Sequence, residues 1–178
     1  MDISISKQTI LICTLLVLAA LSAILLLPRL TGRSLAQVAG FDSGHNAALA
    51  GVKAFYSVDY QSGPDVWAAR LCTMSTQPAC GYYQNTLAPF LWLAFTEHQT
   101  VVTAEASEAN LVADLPASES GAASQQVWQV MVSLSQPWPQ GDGRTTFPAH
   151  VLVNRQEDGW KFERLLLADE LAKYPGGE

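Results

Sequence analysis

The sequence predicts an α+β domain held behind a membrane-spanning helix, and three features of its hydrophobic patterning carry that expectation. Residues 10–27 form an uncharged apolar run, residues 46–60 and 66–72 place apolar side chains at helical spacing, and from residue 100 the apolar period falls to two. The chain of 178 residues has room for one ordinary domain plus an extra segment. Nearly half of it is apolar (49%) and 15% is charged, too hydrophobic a composition for a disordered chain.

The apolar run reads ILICTLLVLAALSAILLL, and at about 1.5 Å of rise per residue it approaches the hydrocarbon thickness of a bilayer. Thr14 and Ser22 form no polar stripe, and Pro28 with Arg29 ends the run. The rival reading is a cleaved signal peptide, with Ser34-Leu35-Ala36 as the site. The run is longer than such a segment usually has, and Arg29 and Arg33 lie between it and the site, which favours a retained anchor. The expected organisation is a tail over 1–9, a transmembrane helix over 10–28 in contact with the lipid bilayer, a linker over 29–45 and a domain over 46–178. Flanking charge barely orients the span, because Asp2 and Lys7 stand against Arg29 and Arg33.

The cysteines bear on orientation. Cys13 lies in the apolar run as a packing residue, whereas Cys72 and Cys80 enclose TMSTQPA, a polar loop with Pro78 helping the chain to turn. A disulfide there would put the domain in an oxidising, extracytoplasmic compartment; two free buried cysteines are the alternative. Zinc lacks ligands, since His45, His98 and His150 are far apart in the sequence. From Phe41 onward seven Lys or Arg face fifteen Asp or Glu, a net charge of −8, which argues against nucleic acid as a partner.

Leu49, Val52, Phe55 and Tyr56 predict the first helix of the domain, and Gly63-Pro64-Asp65 separates it from a shorter helical pattern over 66–72. A third helix is expected over 82–87, with Pro89 as a break. Beyond residue 100, Val101, Thr103 and Glu105 alternate with Val102, Ala104 and Ala106, a strand pattern. Residues 127–135 set Trp128, Val130, Val132 and Leu134 on one face. Gln140-Gly141-Asp142-Gly143 turns into a strand over 145–154, and Glu157-Asp158-Gly159 turns into a last strand over 160–167. Residues 169–174 add a helical turn. Helices first and then about four antiparallel strands give a curved sheet wrapped on helices.

That order, with the segments AFYSVDY, DVWAARL, TVVTAEAS, QVWQVMVSLSQ and FPAHVLVNRQEDGWKFERLLL, resembles the NTF2-like superfamily of cone-shaped α+β domains over about residues 46–167. A short tail, one span and an extracytoplasmic domain of this kind resemble the bitopic assembly components of bacterial type IV secretion and conjugation machines, and anchored accessory proteins of Gram-positive bacteria. The resemblance implies a non-catalytic, single-pass cell-membrane subunit that binds other envelope proteins, with self-association into a homo-oligomer left open. The alternative is an extracytoplasmic small-molecule-binding module or small enzyme that uses the cone as its cavity.

Asp59, Tyr60 and His150 are the polar groups such a cavity would use, although Asp59 beside a glycine turn reads more simply as a local cap and His150 as a hydrogen-bonded strand residue. His98 falls in a loop. No G-x-S-x-G, phosphate-binding glycine loop, H-E-x-x-H or Cys/His metal cluster is present, so no catalytic residue, metal or cofactor is expected. Among the aromatics between residues 67 and 95, Trp92 and Phe95 are expected in the core, and Tyr82 and Tyr83 as exposed partner contacts.

Overall fold

A computed structural model of the chain describes residues 40–117, 123–139 and 141–174. The predicted tail, the span over 10–28 and the linker as far as residue 39 lie outside the described residues. Among those described, no helix is long and apolar enough to cross a membrane.

Helix α1 (Gly44–Tyr56) starts two residues before the predicted domain boundary. The Ser43 hydroxyl accepts the amide N–H of Asn46 at 3.2 Å as its cap. The chain is already tied down before this cap, because Phe41 exchanges two backbone hydrogen bonds with Trp160, at 2.9 and 2.8 Å. Small residues dominate the inner face of α1, with Ala47, Ala48, Gly51, Val52 and Ala54 all buried. A Cβ added to Gly51 would stand 2.1 Å from Cδ2 of Phe162, so the helix lies in direct backbone contact with that ring. This close approach lets α1 cross all four long strands.

Strand β1 (Val58–Asp59) leads through a 3-10 turn (Tyr60–Ser62) into α2 (Pro64–Cys72). Helix α2 finishes the end of α1: Trp67 Nε1 donates to the Phe55 carbonyl at 3.0 Å, and Arg70 donates to the carbonyls of Ala54, at 3.1 Å, and Ser57. The third helix is longer than the sequence predicts. Helix α3 (Gln77–Tyr82) runs through a π turn (Tyr83–Leu87) into α4 (Ala88–Glu97). Pro89 therefore begins α4 and does not break the chain. A proline in a regular α-helix clashes with the carbonyl four residues back; here the preceding turn widens, the Ala88 N–H reaching the Tyr83 carbonyl, and makes room for the ring.

The predicted strand after residue 100 divides at Thr103. Strand β2 (Val101–Val102) pairs with β1, and β3 (Ala104–Leu115) opens the main sheet. Strands β4 (Gln125–Leu134), β5 (Thr146–Gln156) and β6 (Gly159–Leu166) follow in sequence, each antiparallel to the last, so the order is β3-β4-β5-β6. Register shifts in β3, at Ser107 to Asn110 and Leu111 to Ala113, and between β5 and β6 at Leu152 to Val153 bend the sheet. The architecture is α+β with helices against a curved four-stranded antiparallel sheet, as the periodicity predicts. Its inner face forms the main core with the helices, centred on Val52, Trp67, Phe95, Val130, Val151 and Phe162. A smaller cluster on the outer face, Ala113, Val127, Leu152 and Leu166, is covered by Leu171 at the end of helix α5 (Ala168–Leu171) and by Tyr174 beyond it.

Cys72 and Cys80 are bonded, with Cα atoms 4.6 Å apart. The loop that they close carries backbone that extends the sheet: the Phe162 N–H donates to the Met74 carbonyl at 2.9 Å, and the Thr76 N–H to the Phe162 carbonyl at 3.3 Å. The disulfide thus fixes the segment that covers the edge of β6.

Two stability predictions follow from these contacts. Gly51→Ala should lower the unfolding free energy by about 1–3 kcal/mol in urea titrations, because the buried Phe162 ring has nowhere to move. Gly81→Ala, where an added Cβ meets nothing within 4 Å, should be neutral or stabilising; equal effects would rule out the close approach. Replacing Cys72 and Cys80 together by Ser should cost about 2–4 kcal/mol, and a double variant as stable as the parent would show that the loop holds its place without the bond.

Candidate functional site

The polar residues that the sequence offers as cavity groups are not brought together. Asp59 is exposed, and its carboxylate accepts the Gln61 N–H at 3.0 Å as the cap of the 3-10 turn. Tyr60 packs beside the main core with its hydroxyl 3.3 Å from Gln61 Nε2. His150 stands on the other side of the sheet, opposite Gln129 in the register, its Nε2 lying 3.2 Å from the Gln129 amide nitrogen. Partial burial lowers the His150 pKa below the usual imidazole value, which favours the neutral ring accepting from that amide. The strand histidine and the helix-side pair therefore share no cavity. Among the described residues, no group of three or more His, Cys, Asp or Glu is arranged to hold a metal ion.

The two tyrosines expected as partner contacts part company. Tyr82 is 50% exposed, as expected, whereas Tyr83 is 1% exposed. Tyr83 opens the π turn, which swings its ring inward to stack on Phe162 with centroids 6.1 Å apart, and its hydroxyl donates to the Glu163 carbonyl at 2.7 Å. It is a core residue that closes a polar gap at the β5–β6 bulge. At the same bulge the Glu163 carboxylate accepts from Thr76 and, at 3.0 Å, from Asn154. Trp92 and Phe95 are buried as expected.

Two clefts open at the helix-sheet boundary, and Phe55 lines both. The larger, about 680 Å³, lies between Tyr82, Tyr83 and Leu87 on the helical side and Arg164, Leu167 and Glu170 on the other. Arg164 Nη1 donates to both carboxylate oxygens of Glu170 at 2.7 Å, which ties α5 to β6 and holds the Glu170 carboxyl below the usual range. The smaller cleft, about 310 Å³, is walled by Phe55, Tyr56, Trp138 and Phe147, with Asp142 and Arg144 at its rim. Neither the motif scan nor the helical periodicity points to it. The signal in the sequence is an aromatic residue on each side of the turn, Trp138 before it and Phe147 after it.

Comparisons with protein-family models, with curated proteins and with solved structures find no match to this chain.

Burial fixes how the tyrosines titrate. Desolvation pushes the Tyr56 phenol up to about 12 and raises that of Tyr83 as well, with the neighbouring Glu163 adding to the effect. A raised phenol pKa gives stability that is complete below pH 10 and is lost as the pH rises through the folded value, so Tyr56 contributes a loss between about 10 and 12. Tyr56 and Tyr83 should stay un-ionised at about pH 11, read as tyrosinate absorbance, until the domain unfolds. Tyr83→Phe should cost about 1 kcal/mol by leaving the Glu163 carbonyl short of a donor, and Tyr82→Phe almost nothing. Ionisation of Tyr56 and Tyr83 near pH 10, ahead of unfolding, would contradict this desolvation.

Proposed function

We propose that this chain is a non-catalytic assembly subunit of a bacterial envelope complex, of the type IV secretion or conjugation kind. In this reading residues 10–28 anchor it in the cell membrane, and an NTF2-like domain on the extracytoplasmic side binds other protein subunits. The observation that carries the reading is the outer face of α4. Phe90 and Leu93, one helical turn apart, are 72% and 77% exposed. Leu91, Trp92 and Phe95 bury the opposite face, so α4 is apolar nearly all round, the pattern of a helix covered on both sides. Val66 of α2 and Tyr82 of α3 are exposed as well. Burying two such side chains against a partner would be worth about 1.5–3 kcal/mol each, enough to matter in a modest interface. The Cys72–Cys80 bond supports an oxidising compartment for the domain.

A second reading, a small-molecule-binding module, is favoured by one specific feature, the pair of clefts that share Phe55.

The assembly reading is tested by gentle detergent isolation of the full chain with identification of co-purifying proteins, repeated with Phe90→Asp and Leu93→Asp. Companion subunits should travel with the parent and be lost from both variants, with melting temperature unchanged because both positions are exposed. A parent chain that isolates alone as a monomer would sink the reading.

A further inference from the structure

The smaller cleft has walls of one chemical kind and a rim of another. The end of α1 brings Phe55 and Tyr56 to its mouth, the β4–β5 connection supplies Trp138, and the second residue of β5 is Phe147. Trp138 and Phe147 stand 5.1 and 5.3 Å from Tyr56, at 80° and 75° to its ring plane, and Phe55 lies nearly parallel to Trp138 at 21°. The rings pack edge to face on one another, and each of the four also lines the cleft. All four are only partly buried, so ring surface remains for a ligand.

At the rim, Arg144 Nε donates to Asp142 Oδ2 at 2.6 Å across two residues of exposed loop. An ion pair so open to water is worth little, and either member can exchange its partner for a ligand charge. The Tyr56 hydroxyl has no hydrogen-bond partner among the described residues, and Tyr56 is one of the residues that line the cleft.

These features select a ligand by its charges. Aromatic faces attract a cation, and a methylated ammonium suits them better than a primary one because it has fewer or no N–H donors to leave unsatisfied on leaving water. A simple cation would meet Arg144, and a simple anion would meet Asp142 and the negative ring faces. A molecule with both charges fits both rim groups. At about 310 Å³ the cleft is at the small end of ligand sites, which limits the occupant to a compact molecule.

We propose that the cleft walled by Phe55, Tyr56, Trp138 and Phe147 binds a small zwitterion with a methylated ammonium, of the phosphocholine class, its cation against the rings and Asp142 and its anion on Arg144. This rests on reading the cleft as a binding site, the second of the two functional readings. The same chemistry occurs in free solute and in the headgroup of phosphatidylcholine.

The test is titration calorimetry of the full chain in maltoside micelles with phosphocholine, phosphoethanolamine and choline, with melting temperature as the control for folding. Phosphocholine should bind about tenfold more tightly than phosphoethanolamine, the scale of one cation–π contact. Trp138→Ala should lose about tenfold, Asp142→Asn on the exposed loop should weaken binding without changing the melting temperature, and Arg144→Gln should reduce phosphocholine to the affinity of choline. In bilayer discs, phosphatidylcholine that blocks the free compound assigns the site to the headgroup; free compound that still binds assigns it to the solute. Equal binding of phosphoethanolamine, or phosphocholine binding unchanged in both Trp138→Ala and Asp142→Asn, overturns the proposal. If another compound of a metabolite panel binds through Trp138 and phosphocholine does not, the ligand class is wrong while the binding site stands. If nothing in the panel binds, both fall.

Discussion

The contact between α1 and the ring of Phe162 is the constraint on which the rest of the domain depends. A helix that crosses four strands needs small side chains on its inner face, and Ala47, Ala48 and Gly51 supply them, so the helix axis comes close to the sheet. Trp67 and Arg70 take the last carbonyls of the helix, and the end of α1 is where Phe55 and Tyr56 reach the clefts. The close approach also fixes the fully buried Phe162, on which Tyr83 stacks, and Tyr83 in turn packs at an angle to Trp67. The aromatic rings continue from Trp67 to Phe55 and from Phe55 to Trp138, an unbroken series from the centre of the core to the wall of the smaller cleft. The shape of that cleft therefore depends on how closely α1 lies on the sheet one turn before Phe55.

The fold was legible in the sequence wherever one periodicity ruled. The alternation over residues 127–135 gives the observed β4 face, with Val130, Val132 and Leu134 inward, because a half-buried strand has no other way to satisfy it. The change of period near residue 100 marks the passage from helices to sheet. What failed to show was any structure that depends on partners distant in the chain. Pro89 reads locally as a break, and only the widened turn before it reveals how the helix passes through. Tyr83 reads as an exposed neighbour of Tyr82, but a π turn rotates the face on which each residue lies, and helical spacing assumes that no such turn occurs.

The candidate site was less legible still. Asp59, Tyr60 and His150 are plausible as chemistry one by one, but which side of a sheet a strand residue faces can be read only once its register is known. His150 pairs with Gln129 on the outer face, opposite the one on which α1 packs. The aromatic cleft joins residue 55 to residue 147, a separation over which no motif is defined. Its rim, Asp142 and Arg144, reads in sequence only as turn composition.

The loop closed by Cys72 and Cys80 gives the sheet a direction. Backbone from Met74 and Thr76 already occupies the β6 side, whereas β3, the longest strand, has only β4 as a neighbour strand among the described residues. Among the described residues, the side of β3 is the edge at which a strand from another molecule could be added along its length. There, the bulge at Glu108, whose φ is 50°, and the exposed Glu105 interrupt the straight, apolar ladder on which uncontrolled polymerisation depends. The covalent bond on one edge and the kink on the other make the sheet a terminated ribbon, so crowding at a surface would bring such domains together through side chains and not by extension of their strands.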